Sequence, residues 1–503
     1  MISLIDRVLD PITMYRLVLT YLGALLATAF VLGFFGLTPH DPTAIAFSAV
    51  VITSACWLSN RLFAAVFRVP ANSDSITITA FILALILDPV TASDTRGVGV
   101  LIFASVWAMA SKYIFAVGGR HLFNPAAVAV VMTAFLLDHP ATWWVAGNLP
   151  LLPVVLIGGL LVLRKLRRFD MALVFAATAL ATTLATAAPS QFGTVLIETL
   201  TSSPLLFFAF VMLTEPLTSP TMRWPRLAFA AITGFFFAPN VHVGAFYFTP
   251  ELALLIGNLF AYAAGPRGRF VLTLERIEQS AADSYDFIFR SPKTLAFRAG
   301  QYLEWTLALD HPDNRGNRRT FTLASAPTEE TVRLGVKFYP EPSAFKRGLA
   351  AMRPGDTIQA SQVAGDFTLP SDPTAKLAFI AGGIGITPFR SMLRLLLDRD
   401  EARPIKVLYA VSRPEDVAYR DVLDAAETRL GIPTVYAVSR GAEAGEHRGP
   451  IDAALIRETI PDYRERTFYI SGSGAMVAAM RSLLIGMGVE RRRIRTDFFS
   501  GLA

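Results

Sequence analysis

The sequence predicts a multi-pass α-helical membrane domain followed by an antiparallel β-barrel and a doubly wound α/β domain. Three observations carry this. Up to about Gly265 the chain is a series of apolar runs, and beyond Arg267 it turns to sequence of mixed charge. From Arg269 to about Pro370 short runs alternate with period two, the mark of half-buried strands. From Ala375 to Ala503 strand-like and helix-like runs take turns, as in a parallel sheet covered by helices. The bulk composition agrees: of 503 residues, 53% are hydrophobic and 17% charged, where a soluble domain carries about 25% charged. At roughly 100–200 residues per domain there is room for two to four domains, and the composition steps place them at 1–265, 266–372 and 373–503.

The formal charge of +6 is spread through loops rather than gathered in a stripe. It reads as membrane topology signal, with lipid and not nucleic acid as the partner. The single cysteine, Cys56, excludes a disulfide framework, a Cys-ligated zinc and a Cys-ligated iron–sulfur cluster within this chain. No metal site is expected. The opening MISLIDRVLDPITMYR lacks the short apolar core and small-residue cleavage site of a secretory signal.

A transmembrane helix wants about 20 apolar residues. Tyr15–Gly36, Ala44–Leu58, Val98–Val117, Asp170–Ala188 and Glu251–Ala264 are clear candidates, and Ile76–Leu87, Ala126–Leu137, Leu151–Leu163, Pro204–Leu213 and Leu227–Phe237 are shorter ones. If all ten cross and the N-terminus is cytoplasmic, the inner loops hold Arg7, Arg61, Arg68, Arg120, the run Arg164–Arg168, Arg223, Arg226, Arg267 and Arg269. The outer loops hold only Arg96. That bias obeys the positive-inside rule and puts the C-terminal domains in the cytoplasm, beside a bacterial-type inner membrane.

The apolar half repeats. Asp88-Pro89-Val90-Thr91 aligns with Glu215-Pro216-Leu217-Thr218 at an offset of 127, and Phe123-Asn124-Pro125 with Phe248-Thr249-Pro250 at 125. Two markers at nearly one offset imply two halves of five segments, and an odd number of crossings inverts the second. Matched Pro-interrupted segments point to sites between such halves. Asp88, Thr91, Asn124, Glu215, Thr218 and Thr249 are therefore the candidate lining of a membrane conduit. Each acid–Pro pair alone reads as well as a helix end, because proline disfavours helix in the residue before it.

The stretches GGRHLFNPAAVAVV (Gly118–Val131), SITITAFILALILDP and TEPLTSP resemble the NqrB/RnfD family, the membrane electron-transfer proteins of the sodium-pumping NADH:quinone reductase and of Rnf complexes. The resemblance covers most of residues 15–264. It implies ten helices in two inverted halves and flavins that carry electrons through the membrane. The family's Ser-Gly-Ala-Thr motif for covalent FMN is absent; DHPATWWVAGNLP offers Thr142 without the residues before it. A non-covalent FMN or riboflavin stays open. Haem is disfavoured, because His40, His121, His139 and His242 all sit at segment ends or in loops.

In the soluble half, LAFIAGGIGITPFRSML is a buried strand, a turn with Gly382, Gly383 and Gly385, and a helix opened by Thr387-Pro388. Glycines there let backbone approach a pyrophosphate at a helix N-terminus. With Phe297-Arg298-Ala299-Gly300-Gln301-Tyr302, Arg319-Thr320-Phe321-Thr322 and Gly365-Asp366-Phe367, the region 269–503 resembles the ferredoxin–NADP reductase superfamily. The resemblance implies bound FAD and NADH or NADPH. It puts Arg319 on the FAD pyrophosphate, Phe321 against the isoalloxazine and the Thr322 hydroxyl near its N5. Lys337 and Ser343 fall in the second FAD-binding stretch. Ser412 and Arg413 fall at the dinucleotide's adenosine end, where a solvated arginine is the alternative. Ser471-Gly472-Ser473-Gly474-Ala475-Met476 resembles the nicotinamide turn, with Ser471 in the place of its cysteine and Gly472 and Met476 matched. Phe499, in the final aromatic segment, is the candidate ring beside the flavin, with plain core as its alternative. Thr322, Ser471 and Phe499 are the expected catalytic residues.

The linker Gly265-Pro266-Arg267-Gly268 spans at most about 14 Å extended, which would hold the flavin domain near the membrane. The expectation is a membrane-bound NAD(P)H dehydrogenase. It would pass electrons from FAD through the membrane domain to a quinone or a separate extracytoplasmic flavoprotein. Two alternatives stand beside it: a membrane-anchored quinone or flavin reductase without transmembrane transfer, and a transporter regulated by a reductase domain.

Overall fold

The computed structural model describes residues 9, 12–67, 73–117, 120–264, 269–309 and 317–499. The chain forms two compact units, Met1–Arg267 and Gly268–Ala503. The linker expected to tether them lies outside the described residues.

The first unit is helical because apolar backbone in lipid must satisfy its own hydrogen bonds. Its elements are α1 (Met14–Phe34), α2 (Pro42–Phe67), α3 (Ser73–Ile86), α4 (Thr95–Ile114), the hairpin β1 (Ala116–Val117) and β2 (Arg120–His121), α5 (Pro125–Leu137), α6 (Leu152–Leu166), α7 (Phe169–Ala185), α8 (Phe192–Thr201), α9 (Leu205–Phe207) continuing into a π turn over Phe208–Met212, α10 (Arg223–Phe237), the hairpin β3 (His242–Val243) and β4 (Phe246–Tyr247), and α11 (Pro250–Ala264). All ten expected segments are helical. Among the described residues, however, only four helices are long and apolar enough to cross a membrane by themselves, or five if the bent pair at 189–212 counts as one. The others run 13–17 residues, and at 1.5 Å per residue the shortest of them fall about 10 Å short of a ~30 Å hydrocarbon layer.

Contacts sort the loops into two ends. At the first, Lys165 Nζ donates to the Leu9 carbonyl (2.8 Å), Lys112 Nζ to the Ser75 carbonyl (3.0 Å) and Arg168 to the Pro220 carbonyl (2.9 Å), and Arg226 pairs with Asp170 (2.7 Å). At the second, His40 lies 3.7 Å from Asp88, Asn148 donates to the Leu37 carbonyl (3.4 Å), Asn240 to Thr186 (2.6 Å), and the rings of Phe135 and Phe246 stack. The ten expected segments alternate between these ends. The added helix α8 does not: it starts and finishes beside the second end and is largely exposed. The internal repeat extends to an element that left no sign in the sequence. Hairpin β1–β2 between α4 and α5 recurs as β3–β4 between α10 and α11, with Val117 opposite Arg120 and Val243 opposite Phe246. The first hairpin lies at the first end and its copy at the second.

The second unit begins with a six-stranded antiparallel sheet: β5 (Arg269–Ala281), β6 (Ser284–Arg290), β7 (Tyr302–Thr306), β8 (Arg318–Thr322), β9 (Thr331–Lys337) and β10 (Thr357–Ala364), in the order β8-β7-β10-β5-β6-β9, with α12 (Ala344–Ala350) after β9. Its core is Phe287, Phe289, Leu303, Trp305 and Phe345. A second six-stranded sheet follows, of β11 (Leu377–Gly382), β12 (Ile405–Val411), β13 (Thr434–Val438), β14 (His447–Arg448), β15 (Thr467–Ser473) and β16 (Ile494–Phe499), all parallel, in the order β14-β13-β12-β11-β15-β16. Helices α13 (Thr387–Arg399), α14 (Arg420–Leu430), α15 (Ala453–Thr459) and α16 (Gly474–Gly486) connect them. The central strands are apolar on both faces, with Phe379, Tyr409 and Tyr469 in one core and Ile380, Leu408 and Ile470 in the other. That is the sequence signature of a doubly covered parallel sheet.

Candidate functional site

Strand β8 presents the first group of expected residues. Arg319 and Phe321 share a face by the two-residue period of a strand. Both meet Phe345 of α12: the Arg319 guanidinium stands 5.5 Å over its ring, and the Phe321 ring lies 5.9 Å away. Thr320 is exposed on the other face. Thr322, the last residue of β8, is 2% exposed, and its hydroxyl has no hydrogen-bond partner among the described residues.

The second group gathers where β11 and β15 end side by side. Gly382 and Gly472 pack backbone to backbone, and a Cβ on either would meet the Met476 sulfur of α16. A Cβ on Gly385 would stand 2.5 Å from the Ser471 carbonyl oxygen and 2.7 Å from the Gly472 Cα. Gly383 has φ +52° and faces open space. Thr387 and Pro388 then start α13, the Thr387 hydroxyl donating to the Ile384 carbonyl (3.2 Å). The Ser471 hydroxyl is buried and, like that of Thr322, has no partner among the described residues. Phe499 pairs with Ser473 in β16, so its backbone is at the same strand ends; its side chain lies outside the described residues. Buried hydroxyls left unpaired cost free energy unless a ligand meets them. Thr322 and Ser471 are two of seven such hydroxyls among the described residues, and Ser471 stands next to the open left-handed glycine turn at the start of α13.

The remaining expected residues are committed elsewhere in this structure. Lys337 pairs with Asp416 (3.3 Å). The Ser343 hydroxyl caps α12, accepting from the Lys346 amide (3.4 Å). Ser412 is exposed, its carbonyl taking the Arg440 amide (2.8 Å). Arg413 is held among Glu415 (3.1 Å), Asp416 (3.3 Å) and Asp283 (3.5 Å). Burial works against the charged form of Asp416, but the Arg413 hydrogen bond and Lys337 outweigh it and hold the carboxyl below the usual carboxylate range.

In the first unit the six conduit candidates part company. Glu215, Asn124 and Thr218 come together at the first end. The Glu215 carboxylate accepts from Asn124 Nδ2 (2.8 Å) and Thr218 Oγ1 (3.0 Å), and its other oxygen lies 3.1 Å from His121 Nε2. Asn258 of α11 closes the network, accepting from the Asn124 amide (2.9 Å) and donating to the Thr218 carbonyl (3.1 Å). Residues 121–124 come from the first half and 215–258 from the second. Asp88 and Thr91 instead lie in an exposed loop, Thr91 beside Ser93 (2.9 Å). The Thr249 hydroxyl accepts from the Leu252 amide (3.4 Å). The buried acid at this second end is Glu251, which takes the Trp143 indole N–H (2.7 Å). The sequence reading missed His121, Asn258 and Glu251. Asn258, a polar residue inside an apolar run, was the available signal. The loop expected to lie outside, Thr142–Gly147, is tucked in: Trp143 to Ala146 are buried, and the Thr142 and Trp143 amides donate to the Ile86 carbonyl (3.0 Å each).

Comparison with known proteins falls on both units. Residues 379–482 match the oxidoreductase NAD-binding domain, and residues 147–263 match the NQR2, RnfD, RnfE family. The flavohemoprotein of Pseudomonas putida is 29% identical over 245 residues, 48% of this chain and 61% of that one. The flavohemoprotein of Bacillus subtilis is 28% identical over 238 residues, 46% of this chain and 58% of that one. The glycine betaine monooxygenase reductase subunit of Chromohalobacter salexigens is 24% identical over 240 residues, 46% and 64%. The chain thus spans less than two thirds of the length of these relatives. One chain thus carries a segment that matches the NQR2, RnfD, RnfE family and a segment that matches the oxidoreductase NAD-binding domain.

Proposed function

We propose that this protein is a membrane-bound NAD(P)H dehydrogenase of the bacterial inner membrane, with its reductase unit in the cytoplasm. NAD(P)H would be oxidised in that unit, and the electrons would pass into the first unit and on to a quinone or an outer-face acceptor. The observation that carries the reading is the pair of buried, unpartnered hydroxyls on Thr322 and Ser471, at the strand ends where the sequence placed the two halves of the hydride site. FAD, when bound, supplies the chemistry of taking a hydride and releasing its electrons singly. The chain supplies the rest. Arg319 offers a guanidinium fork suited to phosphate oxygens. Phe321 offers an apolar ring, and Thr322 and Ser471 offer hydroxyls in a dry setting. Gly383 leaves the turn open for a pyrophosphate against the start of α13.

The Glu215–His121–Asn124 network supports a membrane step. Ionisable groups buried among apolar helices are costly and mark pathways, and this one joins the two inverted halves. A non-covalent FMN or riboflavin at such a site would make it a relay. A cofactor inventory of the purified full chain tests the reading, together with acceptor reduction in sealed vesicles. Two or more flavins per chain, with electrons from NAD(P)H on the cytoplasmic side reaching an impermeant acceptor on the other, is the expected result. One FAD per chain and reduction confined to the cytoplasmic face would leave an anchored quinone reductase in its place. A chain that takes up no FAD would overturn the reading altogether.

A further inference from the structure

The two groups of the hydride site stand on different sheets: Thr322 on the antiparallel one, and the glycine turn and Ser471 on the parallel one. Their alignment depends on what fastens sheet to sheet, and two straps do so beside the turn. In the first, the Tyr419 hydroxyl, at the start of α14, donates to Asp286 Oδ1 of β6 (2.6 Å). Asp286 is 1% exposed, and its other oxygen takes Arg333 of β9 (2.6 Å), which also reaches Glu278 of β5 (3.0 Å). Tyr419 has φ +58°. A bulky residue keeps that conformation only where its surroundings over-determine it. Gly335 of β9 shows how close the fit is. A Cβ there would meet the Tyr419 hydroxyl, stand 2.8 Å from Thr387 Cγ2 and 3.1 Å from Asp286 Oδ1. Thr387 is the residue that follows the glycine turn.

The second strap starts one turn into α13. Arg390, 6% exposed, donates to the Ala324 carbonyl (2.9 Å) and forks onto Glu329 (Nη2 to Oε1, 2.9 Å). Next to it the Ser391 hydroxyl donates to the Ser325 carbonyl (2.6 Å). Ala324 and Ser325 directly continue the segment that ends β8 at Thr322. The straps touch, since the Arg390 guanidinium lies 5.8 Å from the Tyr419 ring centroid. The helix that opens at the dinucleotide turn therefore packs at its first residue against β9 and is hydrogen-bonded at its fourth and fifth to the segment that follows the flavin strand.

We propose that Tyr419 and Arg390 are positioning residues that fix the glycine turn against the Thr322 strand and thereby set the alignment for hydride transfer. This rests on reading the second unit as an NAD(P)H–FAD reductase. Neither residue is among those expected to touch a cofactor, so removing either should leave binding in place and misalign the transfer. The test uses the purified full chain loaded with FAD, as wild type, Tyr419→Phe, Arg390→Ala and Arg390→Lys. Four quantities are read: FAD per chain, affinity for the oxidised dinucleotide by equilibrium titration, the single-turnover rate of flavin reduction, and its isotope effect with 4-deuterated NADH or NADPH. Expected for Tyr419→Phe and Arg390→Ala are FAD content and dinucleotide affinity within about two-fold of wild type, a reduction rate lower by about ten- to a hundred-fold, as displacements of the order of 1 Å produce, and a larger primary isotope effect. Arg390→Lys should recover part of the rate, because it keeps the charge and loses the fork. A rate within about two-fold of wild type in both variants overturns the proposal, as does a loss that only follows FAD content or dinucleotide affinity. If Arg390→Ala does not fold, Tyr419→Phe, which removes one oxygen atom, decides by itself. A wild-type chain that neither dinucleotide reduces would be the distinct failure of the reductase reading.

Discussion

Replacing Gly383 by valine should separate dinucleotide binding from FAD binding. Nothing lies within 4 Å of the place a Cβ would occupy, so the isopropyl group meets no wall of the protein. The cost to the fold is the left-handed backbone at φ +52°, about 1–2 kcal/mol and somewhat more for a β-branched residue. In a domain of this size each kcal/mol lowers the melting temperature by roughly 2–4 °C, so the unit still folds. Gly385 is the contrasting case: there a Cβ sits 2.5 Å from one backbone atom and 2.7 Å from two others, and alanine would pry β11 from β15. The valine at 383 instead fills the open volume facing the start of α13. Backbone donors lost to a pyrophosphate there are worth about 1.5–3 kcal/mol, or roughly ten- to a hundred-fold in affinity. FAD content comes from the absorbance released on denaturation, and dinucleotide affinity from anaerobic titration of the flavin band. Normal FAD with half-reduction shifted at least ten-fold in NAD(P)H concentration is the expected pair of results. Half-reduction at the wild-type concentration would refute the placement, and loss of FAD together with the dinucleotide would refute the separation of the two sites.

Arg319→Ala should empty the FAD site or weaken it by roughly 2–5 kcal/mol, the cost of truncating one partner of a buried charge pair; full FAD content after purification would reject the assignment. Glu215→Gln should leave NAD(P)H reduction of FAD intact and slow delivery to the membrane acceptor by roughly ten-fold, since His121, Asn124 and Thr218 lose their charged partner. Asp88→Ala, on a half-exposed side chain, should change that rate by less than about three-fold. Equal rates in Glu215→Gln and wild type would reduce the network to a helix fastening. Arg167→Cys should react with an impermeant thiol reagent only from the cytoplasm and Thr142→Cys only from outside, over a silent background because the native Cys56 is buried; labelling of Thr142→Cys from the cytoplasm would undo the proposed orientation. The lowered Asp416 carboxyl stabilises the reductase unit at pH above the ordinary aspartate value of about 3.9, and that contribution is lost as pH falls through the folded-state value. Asp416→Asn should therefore melt lower than wild type near neutral pH and converge with it in acid, and parallel melting curves down to low pH would contradict this.

The strands of the second unit were legible in the sequence wherever a run had its own period and turn residues at both ends. Those without such marks were hidden. β16 follows three arginines and its IRTDFF keeps no clean period of two, so Ile494–Phe499 reads as a terminal motif more than a strand. β14 has two residues, too few for any period. In the first unit the ten apolar runs announced their helices, but α8 was lost among Pro189, Ser190, Gln191, Gly193 and Glu198, which interrupt its hydrophobic run. The straps at Tyr419 and Arg390 left no trace either. Each looks like an ordinary polar residue of an amphipathic helix until the other sheet is in place.

The internal repeat shows why a motif match could not by itself locate the membrane site. Sequence equates Asp88 with Glu215 and Asn124 with Thr249, and geometry keeps the inversion while breaking the equivalence. Glu215 is buried because the opposite half brings His121 and Asn124 to it, and Asn258 binds the same segment. Asp88 stays half-exposed, with His40 of its own half at 3.7 Å. At that end the buried carboxylate is Glu251, one residue past the second Phe-x-Pro turn; the Thr249 side chain of that turn bonds to it, and so does an indole N–H from a loop with no counterpart in the repeat. Two copies of one fold thus place their buried acids at different motif positions, one with an imidazole beside it and one without. The imidazole can serve as donor or acceptor toward its carboxylate, whereas the indole only donates. The two buried acids are therefore set in unequal surroundings: Glu215 has an imidazole nitrogen at 3.1 Å, whereas at the other end the imidazole of His40 stands by the half-exposed Asp88 and not by Glu251.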